Sequence, residues 1–411
     1  SIKASNTVVM VKTVRLLVDV MEKEGMAFPL HLGVTEAGDG EDGRIKSALG
    51  IGALLSDGLG DTIRVSLSEA PEAEIPVARK LVDYVLLRQE HPYIPGLEAP
   101  EFNYLSPERR KTKAVRNIGG EHVPVVIADR MDGKTEVNPQ FTPDYIYAGR
   151  ALPEQREEGV EYILDADVWQ GEAGTWPAFN HAQLPLMGEC DAALKFLFIP
   201  YMAQTDEVIA CLKYHPEVVI ISQSNHPNRL GEHRALVHQL MTEGLQNPVV
   251  FFQHYAEDDA ENLQIKSAAD MGALIFDGLC DGIFLFNQGS LSHAVVDATA
   301  FGILQAGRTR TSKTEYISCP GCGRTLYDLE KTIARIKAAT SHLKGLKIGI
   351  MGCIVNGPGE MADADYGYVG AGRGKISLYK GKVCVEKNIP EEEAVERLLE
   401  FIRTDREENQ Q

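Results

Sequence analysis

An internal repeat limits the fold of this chain more than any other feature of its sequence. Residues 45–66 match residues 265–286 at 12 of 22 positions without a gap, at a spacing of 220 residues. The likeness continues upstream, where a short apolar stretch precedes both copies, at residues 30–32 and 250–252. Chance does not produce agreement of this length, so the repeat indicates duplication of a structural unit.

Each copy has the pattern strand, helix, strand, helix, which is typical of a parallel βα fold. Between residues 123 and 286 the pattern predicts seven short apolar strands that alternate with helical segments. These strands are residues 125–127, 145–147, 162–164, 196–198, 218–221, 249–252 and 283–286. The predicted fold class is therefore α/β, with a partial βα (TIM-like) barrel, a second, degenerate βα barrel and a small α+β domain.

The corresponding domain prediction has three parts. Residues 1–90 supply the C-terminal strands and helices of a truncated barrel, residues 91–305 form an inserted barrel, and residues 306–411 form the small domain. The first barrel would retain only about its last three βα units. We therefore expect the chain to be the C-terminal part of a longer protein.

Charge and composition exclude several classes of partner. The formal net charge of −18 argues against nucleic acid, and no apolar run approaches the ~18 residues of a membrane span. The seven scattered cysteines favour reduced thiols in the cytoplasm over a disulfide framework. Residues 306–390 carry 14 Lys and Arg against 7 Asp and Glu, so this basic region would attract an acidic partner such as a small electron carrier.

Three cysteines near the C-terminus indicate a metal or redox site. Cys319 and Cys322 form a CPGC motif, and Cys353 lies on a separate loop. Such a pair alone suits an iron–sulfur cluster, a zinc site or a redox dithiol about equally, and Cys384 is the available fourth ligand for zinc. The segment after Cys353 contains two glycines around a proline, which predicts a tight turn. This turn would direct Asn356 and Glu360 toward the metal or cluster that Cys353 binds.

That segment favours a catalytic cluster over structural zinc. A carboxylate is a harder and more exchangeable iron ligand than a thiolate. A cluster held by Cys319, Cys322, Cys353 and Glu360 would keep one iron able to exchange its protein ligand for a substrate oxygen.

A second set of candidate residues lies in the first copy of the repeat. Arg64 and Ser66 are natural phosphate ligands at the C-terminal end of a late barrel strand, whereas the second copy has Phe284 and Phe286 there. Lys3 ends the opening strand and is predicted to point to the same mouth. The first barrel is therefore expected to bind an anion and the second to have lost that site.

Glu36 follows the next predicted strand by a single residue. Barrel enzymes place acids and bases at such positions. The sequence therefore predicts a catalytic acid or base at Glu36.

These residues together resemble the hydroxymethylbutenyl diphosphate synthase family, the iron–sulfur enzymes of the methylerythritol phosphate route to isoprenoids. The resemblance covers most of the chain, and residues 70–305 are similar to the inserted middle domain of the three-domain, plant-like form. Its most specific parts are residues 1–6, 33–38, 45–48, 61–66, 319–322 and 353–360.

The resemblance implies a 4Fe-4S cluster on Cys319, Cys322, Cys353 and Glu360. It also implies that Glu36 is an acid near the reacting carbons and that Asn356 reaches toward the substrate. The diphosphate ligands that it implies are Lys3, Arg64 and Ser66.

The implied reaction is the reductive ring opening and dehydration of methylerythritol cyclodiphosphate, with ferredoxin or flavodoxin as electron donor. A homodimer is compatible with this prediction. Non-redox dehydration by a site-open cluster and a zinc-stabilised binding module are the alternatives. Other substrate-binding arginines of the family would lie in the absent barrel strands, so we expect the isolated chain to reduce no substrate.

Overall fold

The structure is a computed structural model that describes residues 1–134, 137–138, 140–325 and 327–409. The last two residues of the predicted third domain lie outside this description. Three regions follow one another along the chain.

The first region is a short parallel βα layer. Two strands pair in parallel, and an isolated parallel bridge from Ala4 to Val34 adds a third segment beside them. Leu32, Val34 and Val65 are buried against the helices, so one face of this layer belongs to the core. The elements are α1 (Thr7–Lys23), β1 (His31–Gly33), α2 (Gly40–Ser56), β2 (Thr62–Arg64) and α3 (Glu74–Leu86).

The second region is a closed barrel of eight parallel strands among the described residues. The seven predicted strands are present, and β6 was missed because Pro177 interrupts a short segment with little aliphatic character. The strands are β3 (Val125–Asp129), β4 (Tyr145–Gly149), β5 (Glu161–Asp165), β6 (Thr175–Asn180), β7 (Lys195–Pro200), β8 (Val218–Gln223), β9 (Val249–Tyr255) and β10 (Gly282–Asn287).

Helices surround only part of this barrel. Within the described residues, β3, β4, β5 and β6 follow one another without an intervening helix, so the predicted alternation of strands with helical segments is wrong for this half of the barrel. The helices are α4 (Leu184–Glu189), α5 (Asp206–Tyr214), α6 (Arg229–Thr242), α7 (Ala260–Phe276) and α8 (His293–Ala306).

The third region is a small α+β unit around one five-stranded sheet. The predicted hairpin near residues 375–385 and the terminal helix are both present. Its elements are β11 (Glu315–Ser318), α9 (Leu329–Thr340), β12 (Lys347–Met351), α10 (Gly357–Glu360), β13 (Tyr366–Gly372), β14 (Lys375–Lys380), β15 (Val383–Pro390) and α11 (Glu391–Asn409). Among the helices that the structure describes, none combines the length and the apolar character needed to cross a bilayer.

The two copies of the repeat pack directly against each other. Helices α2 and α7 occupy equivalent positions 220 residues apart and form the most extensive helix–helix contact among the described residues. A Cβ added to Gly52 would lie 2.9 Å from Cβ of Ala269, and one added to Gly272 would lie 2.4 Å from the carbonyl oxygen of Leu49. Each glycine therefore allows the helix of the other copy to approach, in the reciprocal manner of a twofold interface.

A buried network of four charges completes this interface. Arg15 contacts Asp57 and Asp277 at 2.8 Å each, and Arg234 contacts the same two carboxylates, also at 2.8 Å. Asp57 and Asp277 are equivalent residues of the two copies and are almost fully buried. Each carboxylate is neutralised from both sides, which compensates the cost of removing it from water.

Candidate active site

The exposed face of the first βα layer carries a row of polar side chains. Because Ala4 pairs with Val34 and Gly33 pairs with Arg64, the residues Lys3, Gly33 and Arg64 lie side by side on this face. A Cβ on Gly33 would lie 3.4 Å from Cδ and Cε of Lys3. The missing side chain of Gly33 therefore leaves room for the Lys3 stem beside this strand.

Two further residues, His31 and Ser66, show that this row is positively charged and suited to an anion. The pKa of His31 is lowered, first by burial and then by the positive charges of Lys3 and Arg64, so the histidine senses both cations. Ser66 lies two residues beyond Arg64, is buried, and has no hydrogen-bond partner for its Oγ. Buried polar atoms normally have partners, so an unpaired hydroxyl two residues from Arg64 fits an anionic ligand.

Glu36 occupies a strained position just beyond β1. Its φ of 48° lies in the left-handed region, which residues other than glycine rarely adopt. Its side chain is buried, and its Oε2 has no hydrogen-bond partner. The backbone thus turns the carboxyl group away from the course of the strand and into the space below the third region.

That space contains Glu360. The pKa of Glu36 is raised to about 8, first by burial and then by a hydrogen bond with the Glu360 carboxyl group, while Thr35 and Arg64 oppose the shift. A buried position and a neighbouring carboxyl group both disfavour the charged form of Glu36. The acid predicted in the barrel and the acid predicted in the cluster loop therefore lie together.

Direct contacts between the first and third regions hold this arrangement. Ala37 forms a parallel bridge with Ser318, and Ser68 Oγ donates to the Ser318 carbonyl oxygen at 2.9 Å. Lys46 Nζ donates to the Tyr316 carbonyl oxygen at 3.2 Å. The sheet of the third region thus continues onto the loops at the mouth of the first.

Ion pairs surround these backbone contacts. Lys337 contacts Asp39 at 2.5 Å, and Lys313 contacts Asp42 at 2.7 Å. Sequence reasoning missed these residues and Ser68, because nothing in their local patterns indicates a partner about 250 to 300 residues away.

The predicted thiol ligands follow two adjacent strands. Cys319 comes directly after β11, and Cys353 comes two residues after β12, which pairs with β11 in parallel. The Gly352 amide donates to Cys319 Sγ at 3.1 Å, and the Arg324 amide donates to Cys322 Sγ at 3.4 Å. The bond from Arg324 lowers the pKa of Cys322, whereas burial raises the pKa of Cys319.

The loop after Cys353 places the remaining candidates. Asn356 is exposed at the start of α10, and Glu360 ends this single turn. Pro358 within the turn fits the first positions of a helix because its missing N–H needs no partner there.

Within the described part of the chain, no group of three or more His, Cys, Asp or Glu side chains is arranged to hold a single metal ion. A four-iron cluster has its ligands on separate irons, so its cysteines need not converge on one point. Cys384 lies on β15, three strands from β12 and thus roughly 14 Å away. The structure therefore does not bring Cys384 to the other three cysteines, as the zinc alternative required.

Comparison with known proteins agrees with this geometry. Residues 1–79 match the model of the GcpE TIM-barrel domain, and residues 315–404 match that of the GcpE C-terminal domain. The chain is 95% identical over 408 residues to 4-hydroxy-3-methylbut-2-en-1-yl diphosphate synthase (flavodoxin) of Bacteroides thetaiotaomicron, covering 99% of this chain and 67% of that protein. The chain belongs to this synthase family.

More distant members align over the same extent. The synthase of Bacteroides fragilis (strain ATCC 25285) is 83% identical over 403 residues, which cover 98% of this chain and 64% of the relative. That of Chlorobaculum tepidum is 40% identical over 478 aligned residues, covering 98% and 63%. The chain thus spans about two thirds of the length of the synthases that it matches.

The candidate residues all fall within the two matched GcpE domains. The anion row and Glu36 lie in residues 1–79, and the cysteines with Glu360 lie in residues 315–404. The closed second barrel lies between these matches, and the synthase relatives align across it as well.

Proposed function

We propose that the protein containing this chain converts 2-C-methyl-D-erythritol 2,4-cyclodiphosphate to 4-hydroxy-3-methylbut-2-enyl diphosphate by reductive ring opening and dehydration. Membership of the synthase family supports this reaction class. The observation that carries the proposal is the meeting of Glu36 with Glu360, because it joins the anion row and the cysteine loops into one site within a single chain.

The anion row would bind the diphosphate. Lys3 and Arg64 supply two fixed cations side by side, and the unpaired Ser66 hydroxyl can donate to a phosphate oxygen. Arginine binds phosphate oxygens through two parallel hydrogen bonds, which fixes orientation as well as position. Cations placed before substrate arrives stabilise the negative charge that develops when the phosphate ester bond breaks.

Glu36 would manage the proton that the dehydration requires. With its pKa near 8, the carboxyl group is protonated at neutral pH and can act as a general acid. The strained backbone at Glu36 fits this role, because residues held in uncommon conformations cluster at functional sites. Asn356, exposed on the facing loop, would provide an amide that can donate a hydrogen bond to the substrate.

The donor set fits an iron–sulfur cluster held by Cys319, Cys322, Cys353 and Glu360. Three thiols come from two loops at the ends of adjacent strands, and backbone amides already donate to two of the sulfurs. Such amide donors stabilise thiolate charge and tune cluster potentials. When bound, the cluster would supply the two electrons of the reaction, one at a time.

The electron donor would be flavodoxin, which the names of the related synthases specify. The positive charge of residues 306–390 suits an acidic protein of this kind. The reduced thiols that the site requires suit the cytoplasm.

The test uses full-length protein that is purified and reconstituted anaerobically with iron and sulfide. We expect about four irons and four sulfides per protein, and turnover of the cyclodiphosphate only with reduced flavodoxin. Cys353→Ser should lose the cluster, and its matched control Cys384→Ser should keep it. Glu36→Gln should retain the cluster but lower kcat by about 10²- to 10⁴-fold, whereas the exposed control Glu24→Gln should not.

Three outcomes would contradict the proposal. If the purified protein contained zinc without sulfide, and the Cys384→Ser variant lost that zinc, the zinc-stabilised binding module would be favoured. Turnover that needs no reductant would indicate a hydro-lyase. Full activity of Glu36→Gln would remove the proton role given to this residue.

A further inference from the structure

The C-terminal mouth of the second barrel forms a cavity of about 490 Å³. Barrel enzymes place their ligand sites at this end. Phe284 pairs with Phe252 as Arg64 pairs with Gly33, so strand pairing shifts the upstream sequence alignment of residues 30–32 with 250–252 by one residue. In this alignment the second copy has Gln223, Phe252 and Phe284 where the first copy has Lys3, Gly33 and Arg64. The mouth has therefore lost the cations of the anion row but has kept the concave shape of a binding site.

Aromatic rings form the walls and floor of this cavity. Phe252 and Tyr147 pack edge-on against the buried Phe284, with ring centroids 5.0 and 5.8 Å away. Tyr147, Phe198, Phe252 and Phe286 are only half-buried. A concave group of partly exposed aromatic rings is unfavourable in water and is typical of a surface that a ligand covers.

Carboxylates give the rim its charge. Among the residues that the structure describes, the charged side chains that line the cavity are Arg150, Asp165 and Asp167. Arg150 contacts Asp167 at 2.8 Å but lies 4.0 Å from Asp165, which instead accepts a hydrogen bond from the Tyr147 hydroxyl at 2.5 Å. The lining therefore carries a net negative charge centred on Asp165, and this charge is coupled to one of the aromatic walls.

We propose that this mouth binds a small organic cation, an alkylated ammonium group with apolar substituents. The faces of aromatic rings attract such cations, and they do so more strongly when the cation is removed from water. Asp165 supplies the counter-charge, and the cavity is large enough for a small quaternary ammonium compound. A diphosphate is disfavoured because the net charge of the lining has the wrong sign. The proposal is independent of the reaction assigned to the first and third regions.

The test titrates the protein with choline and with its neutral isostere 3,3-dimethylbutan-1-ol, followed by calorimetry or ligand-observed NMR. We expect saturable choline binding and about tenfold weaker binding of the neutral compound. Asp165→Asn keeps the hydrogen bond from Tyr147 and removes the charge, so it should weaken choline binding about tenfold. The matched control Glu154→Gln removes an exposed charge of the same barrel outside the cavity and should leave binding unchanged.

A second variant guards against misfolding. Phe252→Leu retains an apolar wall without a π face and should weaken choline binding several-fold while binding of the neutral isostere is retained. Absence of choline binding, equal affinity for both compounds, or saturable binding of inorganic pyrophosphate at this mouth would each overturn the proposal. Iron content and cyclodiphosphate turnover should not change in Asp165→Asn or Phe252→Leu. A failure of the cation-binding proposal can therefore be distinguished from a failure of the proposed function.

Discussion

The two barrel mouths use the same strand positions for opposite chemistry. In the first copy Arg64 faces the mouth and Gly33 beside it leaves room for Lys3, whereas in the second copy Phe284 and Phe252 fill the corresponding space. The first mouth is cationic and open, and the second is aromatic with a net negative lining. The mouth-facing side chains at these paired positions have therefore changed completely.

The helices behind the two mouths differ far less. α2 and α7 keep the IKSA segment, the close-packing glycines Gly52 and Gly272, and the terminal aspartates Asp57 and Asp277. The two glycines and the two aspartates contact the other copy, so a change in one of them affects both copies. The comparison shows that packing between the copies limits variation more strongly than the mouths do.

Placing a cation in the second mouth should have the largest effect on stability. Phe284 is buried in the barrel among aromatic rings, so Phe284→Arg would bury an unpaired charge. We expect a loss of about 4 kcal/mol in the free energy of unfolding, measured by urea denaturation followed by circular dichroism. Phe286→Arg is the matched control on the same face, and it should cost less than half as much because Phe286 is only half-buried at the rim. Equal losses in unfolding free energy would show that a charge costs as much at the rim of the barrel as in its interior.

The reciprocal change in the first mouth should affect activity instead. Arg64 is exposed, so Arg64→Phe should change the urea midpoint little. Loss of a preorganised phosphate ligand should reduce kcat/KM of the full-length enzyme by about 10²- to 10³-fold. Arg64→Lys keeps the charge and should recover part of the activity. If Arg64→Phe retained full turnover, the assignment of the anion row would be wrong.

The four-charge network offers a symmetric test of the duplication. Asp277→Asn leaves Arg15 and Arg234 with one buried carboxylate between them, and we expect a loss of about 3 kcal/mol in unfolding free energy. Asp57→Asn should cost slightly more because Asp57 also accepts a hydrogen bond from the Tyr104 hydroxyl at 3.2 Å. Losses that differ by more than about 2 kcal/mol would show that the two copies do not carry the network equally.

Sequence reasoning found those parts of the fold that local patterns specify. The repeat predicted two related βα units, and apolar runs predicted seven of the eight barrel strands. β6 escaped because Pro177 breaks its pattern, and β13 because four of its residues are small. The spacing of the cysteines indicated a metal site, but the contact of Ser68 with Ser318 depends on how the first and third regions pack, which no local pattern records.

The seam between α2 and α7 provides the smallest expected effect and tests how tightly the copies fit. Alanine usually stabilises a helix relative to glycine by up to ~1 kcal/mol, but a Cβ on Gly272 would lie 2.4 Å from the Leu49 carbonyl oxygen. We therefore expect Gly272→Ala to lose about 1–3 kcal/mol, since backbone cannot move aside as a flexible side chain can. Gly188→Ala in α4 is the matched control, because the nearest atom would be 3.8 Å away and the variant should be neutral or slightly stabilised. Equal urea midpoints for the two variants would mean that α2 and α7 can move apart at little cost in free energy. The close packing between the copies would then not explain why these two helices have varied less than the two mouths.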